Sequence, residues 1–263
     1  MKKHYFINAG IIIYLFVGNI VPISAQETVE VDSLNNFTST KSVSCKSHNF
    51  KFKEFLIPTT LFGLSALYVN TPCLITQKEK IQECISTDGK RKTYIDDYLQ
   101  YSPMIAVYGL NALGVNGKHC FKDRTILLAM SYATMGIAVN SMKRIFKEKR
   151  PDSNARNSFP SGHTATVFMG AEFLYKEYSE TKPYIGYIGY SVAVATGYLR
   201  IYNNRHYFND VIAGACIGIM STKFAYWLYP KIFKNVKCSQ NATIIGAPYY
   251  TSQEIGLSVN VQF

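Results

Sequence analysis

The sequence predicts an all-α fold, a bundle of six helices, followed by a short C-terminal β-hairpin. Of the 263 residues, 48% are hydrophobic and 17% are charged, which supplies enough apolar surface for one sizeable helical domain. Six apolar segments rich in Ala, Leu, Ile, Met and Gly alternate with polar stretches, as expected for helices. These segments are Phe55–Ile75, Tyr101–Val115, Thr125–Met142, Thr164–Tyr175, Tyr184–Leu199 and Val211–Tyr229.

The apolar segments leave the relation of the bundle to a membrane open. Several are shorter than the ~20 residues that a membrane span needs, and they contain many Tyr, Ser and Thr residues. We therefore expect the helical domain, residues 54–237, to be embedded in a membrane or docked on one.

Residues 238–263 have a different pattern. Apolar and polar residues alternate with a period of two from Ile255 to Phe263, which is typical of a β-strand. Ala242–Ala247 is the candidate partner strand. Two strands are too few to close a membrane barrel, so we predict a small docked hairpin.

The first 25 residues have the three parts of a secretory signal peptide. Lys2 and Lys3 precede an uncharged apolar run, and a small residue, Ala25, ends the segment. The alternative is an uncleaved membrane anchor, for which the apolar run is short. Residues 26–53 are polar and aperiodic, and we expect them to form a loosely packed lead-in. The signal predicts an exported protein.

Export bears on the six cysteines, because thiols can pair in an oxidising compartment. Cys73 and Cys84 flank a short polar stretch, and we predict a disulfide that closes it as a loop. Cys216 lies in an apolar segment and is expected in the core. No C-x-x-C spacing indicates a metal site.

The charge balance predicts an anionic partner. The 28 Lys and Arg residues against 17 Asp and Glu residues give a formal net charge of +11. Nucleic acid, an acidic membrane surface and a phosphorylated substrate would each fit. The sequence motifs decide which of these three anionic partners is predicted.

Lys143 and Arg150 form the first group of candidate site residues. They are seven residues apart, about two helical turns, so both project from one face if the helix from Thr125 continues beyond Met142. Pro151 is placed to end that helix. The alternative is a basic helix end at the water boundary.

The second group is Pro160-Ser161-Gly162-His163, directly before an apolar segment. The free N–H groups and positive dipole end of a first helical turn make an anion site, and Gly162 lets an oxygen approach closely. The alternative is a Ser cap with an incidental His. A hydroxyl and an imidazole beside an anion site favour function.

The third group is Arg200, His206 and Asp210. A His and an Asp four residues apart on a helix share one face, so the carboxylate can orient the ring and leave its other nitrogen free for attack. Asp210 can also act as a helix cap. A cap alone does not account for Arg200 and His206.

Together the three groups resemble the type 2 phosphatidic acid phosphatase (PAP2) superfamily, whose pattern is K-x6-R-P, then P-S-G-H, then S-R-x5-H-x3-D. The order and spacings fit from about Thr125 to Tyr229. One departure is Leu199, where the pattern has Ser. It removes one possible hydroxyl contact and none of the charged groups, so we expect tuned activity.

The resemblance implies a six-helix fold and a phosphatase that needs neither metal nor cofactor. It implies that His206, oriented by Asp210, is the nucleophile that forms a phosphohistidine and that His163 is the general acid. The implied phosphate ligands are Lys143, Arg150, Arg200, the Ser161 hydroxyl and the N–H groups of Ser161 and Gly162. Vanadium-dependent haloperoxidases share the fold and the motifs and are an alternative.

The apolar bundle and export signal favour a phosphorylated lipid and a membrane as partners, and the motifs disfavour nucleic acid. We predict lipid A phosphate as the substrate. The alternative substrates are undecaprenyl diphosphate and phosphatidylglycerol phosphate. The alternative functions are a soluble periplasmic acid phosphatase and a non-catalytic scaffold.

The expected location is the inner membrane with a periplasm-facing active site, or the periplasm. If all six segments crossed the membrane after signal cleavage, the motifs would face the cytoplasm. We therefore expect Phe55–Ile75, broken by Pro58 and ending at Thr71-Pro72, not to make a simple crossing, or the bundle to dock without spanning.

Overall fold

The computed structural model describes residues 52–86, 93–233, 243–250 and 255–262. The predicted signal peptide and nearly all of the predicted lead-in lie outside these residues. Within them the chain forms eight helices and two strands. The helices are α1 (Lys53–Asn70), α2 (Pro72–Ile85), α3 (Ile95–Leu99), α4 (Ser102–Ala112), α5 (Phe121–Phe146), α6 (Gly162–Tyr178), α7 (Pro183–Tyr202) and α8 (Phe208–Ile232). The strands are β1 (Thr243–Tyr250) and β2 (Ile255–Gln262).

Helix α6 is the centre of the bundle. Most of its residues are buried, and it packs mainly against α8 and α7, with α4 and α5 beside it. Two glycines of α8 allow a close approach: a β-carbon at Gly214 would lie 2.5 Å from the Ser161 carbonyl oxygen, and one at Gly218 would lie 2.3 Å from that of Ala165. Small residues at a helix crossing let the backbones meet, and this crossing brings the N-termini of α6 and α8 together.

The predicted single helix Phe55–Ile75 is wrong, and with it the count of six. The chain breaks at Thr71, whose ψ of 115° is extended, because a residue before proline avoids the helical region. Helix α2 then continues through the stretch predicted as a loop. Its buried residues include Lys78 and Gln82, so its inward face is polar and has no apolar period to reveal it.

The other predicted helices exist with shifted ends. Helix α5, for example, begins at Phe121 and ends at Phe146, whereas the apolar run that predicted it covers Thr125–Met142. Helix α3 was not predicted, because its five residues are too few to show a helical period.

The predicted Cys73–Cys84 disulfide is also wrong, since both thiols are free and exposed. Both residues lie on α2, where eleven residues at the helical rise separate their α-carbons by about 16 Å. A disulfide needs α-carbons within about 7 Å. Cys216 is buried in the core, as expected, and Cys120 is disulfide-bonded.

The two strands follow the helical domain in sequence. They pair antiparallel in a register that places Thr243 opposite Gln262 and Tyr250 opposite Ile255.

Helices α5 and α8 are long and apolar enough to cross a membrane, the two that pass this test among the described residues. Core helices of soluble proteins also pass it. The exposed surface also bears on membrane association. Large apolar side chains are exposed along several helices, including Ile137 and Ile145 of α5, which are 70% and 68% exposed.

Candidate active site

The three predicted groups of site residues meet at one end of the bundle. Lys143 lies in the last turn of α5, His163 in the first turn of α6, and His206 two residues before α8. The charges of four of these residues lower the pKa of His206, and these are Arg200, Arg150, Lys143 and His163. The charged candidates therefore act on one buried imidazole.

His206 is 1% exposed, and its Nδ1 lies 3.4 Å from Asp210 Oδ2. The same oxygen accepts hydrogen bonds from the Ser158 hydroxyl at 2.5 Å and from the Tyr207 N–H at 3.1 Å. Two donors therefore hold this oxygen of Asp210, and it faces one ring nitrogen of His206.

The expectation that His206 and Asp210 share a helical face is wrong in its detail. Helix α8 begins at Phe208, its cap is Tyr207, and Asp210 occupies the third helical position. His206 belongs to the preceding loop. The pairing arises because the Asp210 carboxylate reaches back to the Tyr207 N–H, a capping arrangement, and thereby to the loop that carries His206.

Burial, together with the charges of Arg200, Arg150 and Lys143, holds the pKa of His206 well below its ordinary value. His206 is therefore neutral at neutral pH. A neutral imidazole whose Nδ1 faces a carboxylate has its Nε2 lone pair available as a nucleophile.

Lys143 and Arg150 do not share a helix, contrary to expectation. Helix α5 ends at Phe146, and Lys147 adopts the left-handed conformation with φ 46°, so the helix stops before Pro151 can act. Asn157 joins the two cations instead. Lys143 Nζ donates to the Asn157 carbonyl at 2.5 Å, and Arg150 Nε donates to its Oδ1 at 2.7 Å.

Ser161 caps α6, since its hydroxyl accepts hydrogen bonds from the Thr164 N–H at 3.5 Å and hydroxyl at 2.9 Å. Its own N–H donates to the Asp210 carbonyl at 3.0 Å. The predicted use of the Ser161 N–H for phosphate is therefore wrong, because that donor is already engaged. The N–H groups of Gly162 and His163 remain at the open end of the helix.

Arg200 is buried against two carboxylates that sequence reasoning missed. Its Nη1 donates to Asp96 Oδ2 at 2.6 Å and to Asp97 Oδ1 at 3.1 Å. Its Nε is buried and has no acceptor among the described residues. An unsatisfied buried donor is costly, and a phosphate oxygen would satisfy it.

Asp97 also reaches His163, with 2.9 Å between Asp97 Oδ1 and His163 Nε2. Burial and the charge of Arg200 lower the pKa of His163, and Asp97 opposes this shift. Asp96 and Asp97 lie on the short helix α3, so no spacing to the motifs could reveal them. Within the described part of the chain, no group of three His, Cys, Asp or Glu residues is arranged to hold a metal ion.

Residues 124–234 match the sequence profile of the PAP2 superfamily. A lipid A 1-phosphatase from Porphyromonas gingivalis is 38% identical over 148 residues, which are 56% of this chain and 33% of that protein. The chain thus aligns with about a third of the length of this relative.

Two solved structures are similar. The crystal structure of Aquifex aeolicus LpxE shares 25% identity, covering 56% of this chain and 92% of that one, with a TM-score of 0.42. A transmembrane PAP2 type phosphatidylglycerolphosphate phosphatase from Bacillus subtilis shares 20% identity, covering 68% and 97%, with a TM-score of 0.49.

The low pKa of His206 predicts a pH dependence of stability. The folded imidazole stays neutral, whereas an unfolded histidine has a pKa of about 6.5. The unfolded state therefore gains the extra proton as the pH falls below about 6.5, and stability falls with it. His206→Gln should weaken this dependence between pH 7 and pH 5, as measured by denaturant unfolding of both proteins. Identical pH slopes would contradict a neutral buried His206.

Proposed function

Because residues 124–234 match the PAP2 superfamily profile, we propose that this chain is a metal-independent phosphatase acting on a lipid phosphomonoester or diphosphate. The observation that carries the proposal is the buried imidazole of His206, whose Nδ1 lies 3.4 Å from Asp210 Oδ2 and whose pKa is lowered by the charges of Arg200, Arg150 and Lys143. A phosphate dianion is a natural ligand for three cations in one site, and a neutral imidazole beside them is a natural nucleophile.

In the proposed reaction, His206 Nε2 attacks phosphorus while the bond to the leaving oxygen breaks, which gives a phosphohistidine and an alcohol. Asp210 holds the Nδ1 proton and stabilises the positive charge on the ring. Water then attacks the phosphohistidine, and this second step releases inorganic phosphate and regenerates His206.

Phosphate is held by Lys143, Arg150 and Arg200, with the Gly162 and His163 N–H groups at the helix N-terminus. Ser161 contributes by capping that helix and can turn its hydroxyl toward a phosphate oxygen. Asn157 sets the spacing between Lys143 and Arg150.

His163 donates its proton to the leaving alkoxide in this scheme. Its pKa is lowered by burial and by the charge of Arg200. A bound phosphate dianion brings negative charge next to His163 and neutralises Arg200, so substrate binding itself favours the protonated acid.

Lipid A phosphate is the proposed substrate, on the strength of the Porphyromonas gingivalis relative. The exposed apolar side chains of α1, α5 and α7 support a lipid environment. They include Leu56, Ile57, Leu61, Leu64, Leu67, Ile137, Ile145, Tyr187, Ile188, Val194 and Tyr198.

The test is phosphate release by the purified protein in excess EDTA from four substrates: lipid A, undecaprenyl diphosphate, phosphatidylglycerol phosphate and an aryl phosphate. Lipid A should be hydrolysed fastest, orthovanadate should inhibit, and His206→Ala should lower the rate to below about a thousandth. His119→Gln is the matched control, because His119 pairs with Glu177 at the other end of α6, and it should retain activity. Activity restored only by a divalent cation would refute metal independence, and bromide oxidation with vanadate would indicate a haloperoxidase.

The two histidines should differ in a second measurement. His206→Ala should abolish the phosphoenzyme. His163→Ala should slow hydrolysis of alkyl phosphates by about 100-fold or more but affect aryl phosphates far less, since good leaving groups need little protonation. Rapid-quench labelling with both substrate types measures this. Equal losses on the two types would exclude His163 as the leaving-group acid.

The active site faces the periplasm in this proposal, as an exported lipid phosphatase requires. A cysteine at the exposed position Asn154, in a background without the native cysteines, should react with an impermeant maleimide in cells with a permeabilised outer membrane. A cysteine at Thr181, at the opposite end of α6, reports on the other end of the bundle. Protection of position 154 until the inner membrane is lysed would place the site in the cytoplasm.

A further inference from the structure

A buried ion pair contacts the carboxyl of Asp210 and is not used by the reaction described above. It joins Lys78 Nζ to Glu148 Oε1, and the two residues are 4% and 8% exposed. Glu148 occupies an unspecified position of the first motif. Lys78 lies on α2, upstream of the matched residues 124–234. The three sequence motifs therefore specify neither Lys78 nor Glu148.

Helix α2 holds the loop that carries the nucleophile. Lys78 Nζ lies 4.6 Å from the ring centroid of Tyr207, the residue directly after His206. One turn further along α2, Gln82 Nε2 donates to the Ile201 carbonyl at 3.0 Å and to Asn204 Oδ1 at 2.8 Å. Helix α2 thus contacts both ends of the His206 loop: Gln82 binds its start, and Lys78 lies over Tyr207 at its end.

Glu148 connects this helix to Asp210. One of its oxygens accepts from Lys78. The other, Oε2, is buried and accepts from no donor among the described residues. The Glu148 side chain also lies within hydrogen-bonding reach of the Asp210 carboxyl. Two carboxyl groups can hydrogen-bond only when one of them carries a proton.

The proton belongs on Glu148. Burial and the neighbouring Asp210 charge raise the pKa of Glu148 to about 8, although Lys78 opposes the shift. Burial raises the pKa of Asp210 as well. Asp210, however, accepts from Ser158, Tyr207 and Asn209, and such donors favour an ionised carboxylate. When Glu148 and Asp210 share one proton beside Lys78, two negative charges are not placed in contact.

We propose that Glu148 and Lys78 are positioning residues for the nucleophile: Glu148 donates its proton to Asp210, and Lys78 holds Glu148 in place. This inference rests on the proposed role of His206. Asp210 then stays ionised and correctly oriented, so it selects the His206 tautomer that has its proton on Nδ1 and its lone pair on Nε2.

The experiment compares Glu148→Gln, Glu148→Ala and Lys78→Met. The amide of Glu148→Gln can still donate to Asp210 and accept from Lys78, so kcat should stay within about threefold of wild type. Glu148→Ala removes the donor and should lower kcat by about 10- to 100-fold. KM should change little, because the bonds seen for these two side chains join them to each other, to Tyr207 and to Asp210, on the nucleophile side of the site. Lys78→Met should lower kcat in the same way.

Glu177→Gln is the matched control. Glu177 is a buried carboxylate paired with Arg124 at 3.1 Å, but it lies near the opposite end of α6. It should lose stability without losing kcat. Thermal unfolding of every variant separates folding from catalysis.

The second readout does not need turnover. Nitrogen NMR of histidine-labelled protein should give the Nδ1-protonated tautomer of His206 in wild type and Glu148→Gln, and a mixture in Glu148→Ala. If wild type releases no phosphate from any substrate, the proposed function fails, and the tautomer alone decides this inference. Unchanged kcat and tautomer in Glu148→Ala, or equal damage in Glu148→Gln and Glu148→Ala, would overturn it.

Discussion

The close crossing of α6 and α8 is the constraint on which the site depends. Gly214 and Gly218 remove the side chains that would separate the two helices, and the Ser161 N–H can then donate to the Asp210 carbonyl at 3.0 Å. This one backbone bond fixes the open end of α6 relative to the start of α8. The anion-binding N–H groups and the carboxylate that orients His206 therefore have a defined separation before any ligand binds.

Charge compensation explains how so many cations remain stable around a buried histidine. Arg200 is held by Asp96 and Asp97, and further negative charge comes from Asp210. These carboxylates keep Arg200 in place without satisfying its buried Nε. The arrangement is pre-organised for an anion, because the cations are oriented by protein groups and do not need to reorganise when phosphate arrives. The positive charges of these cations, together with burial, also lower the pKa of His206 and keep it neutral.

The sequence predicted which residues form the site better than it predicted which helices and loops position them. Three motifs specified the charged residues, and the structure brings them together. The same reasoning misplaced Lys143 and Arg150 on one helix, because a non-glycine residue in the left-handed conformation, Lys147, gives no helix-stop signal. It also missed α2, whose buried Lys78 and Gln82 conceal a helix behind a polar pattern. Contacts distant in sequence, such as Asp96 with Arg200, have no local pattern at all.

The residues that hold the nucleophile loop come from several separate parts of the chain. Gln82 of α2 binds the last turn of α7 at Ile201 and the loop at Asn204. Asp96 of α3 binds the loop at Asn203, and Asp152 pairs with Arg205 at 3.3 Å. Two of these three anchors precede the residues that match the family profile. The motifs supply the reacting groups, but the geometry of the loop depends on side chains that the motifs do not specify. Substitutions in α2 or α3 can therefore alter the orientation of His206 while every motif residue stays the same.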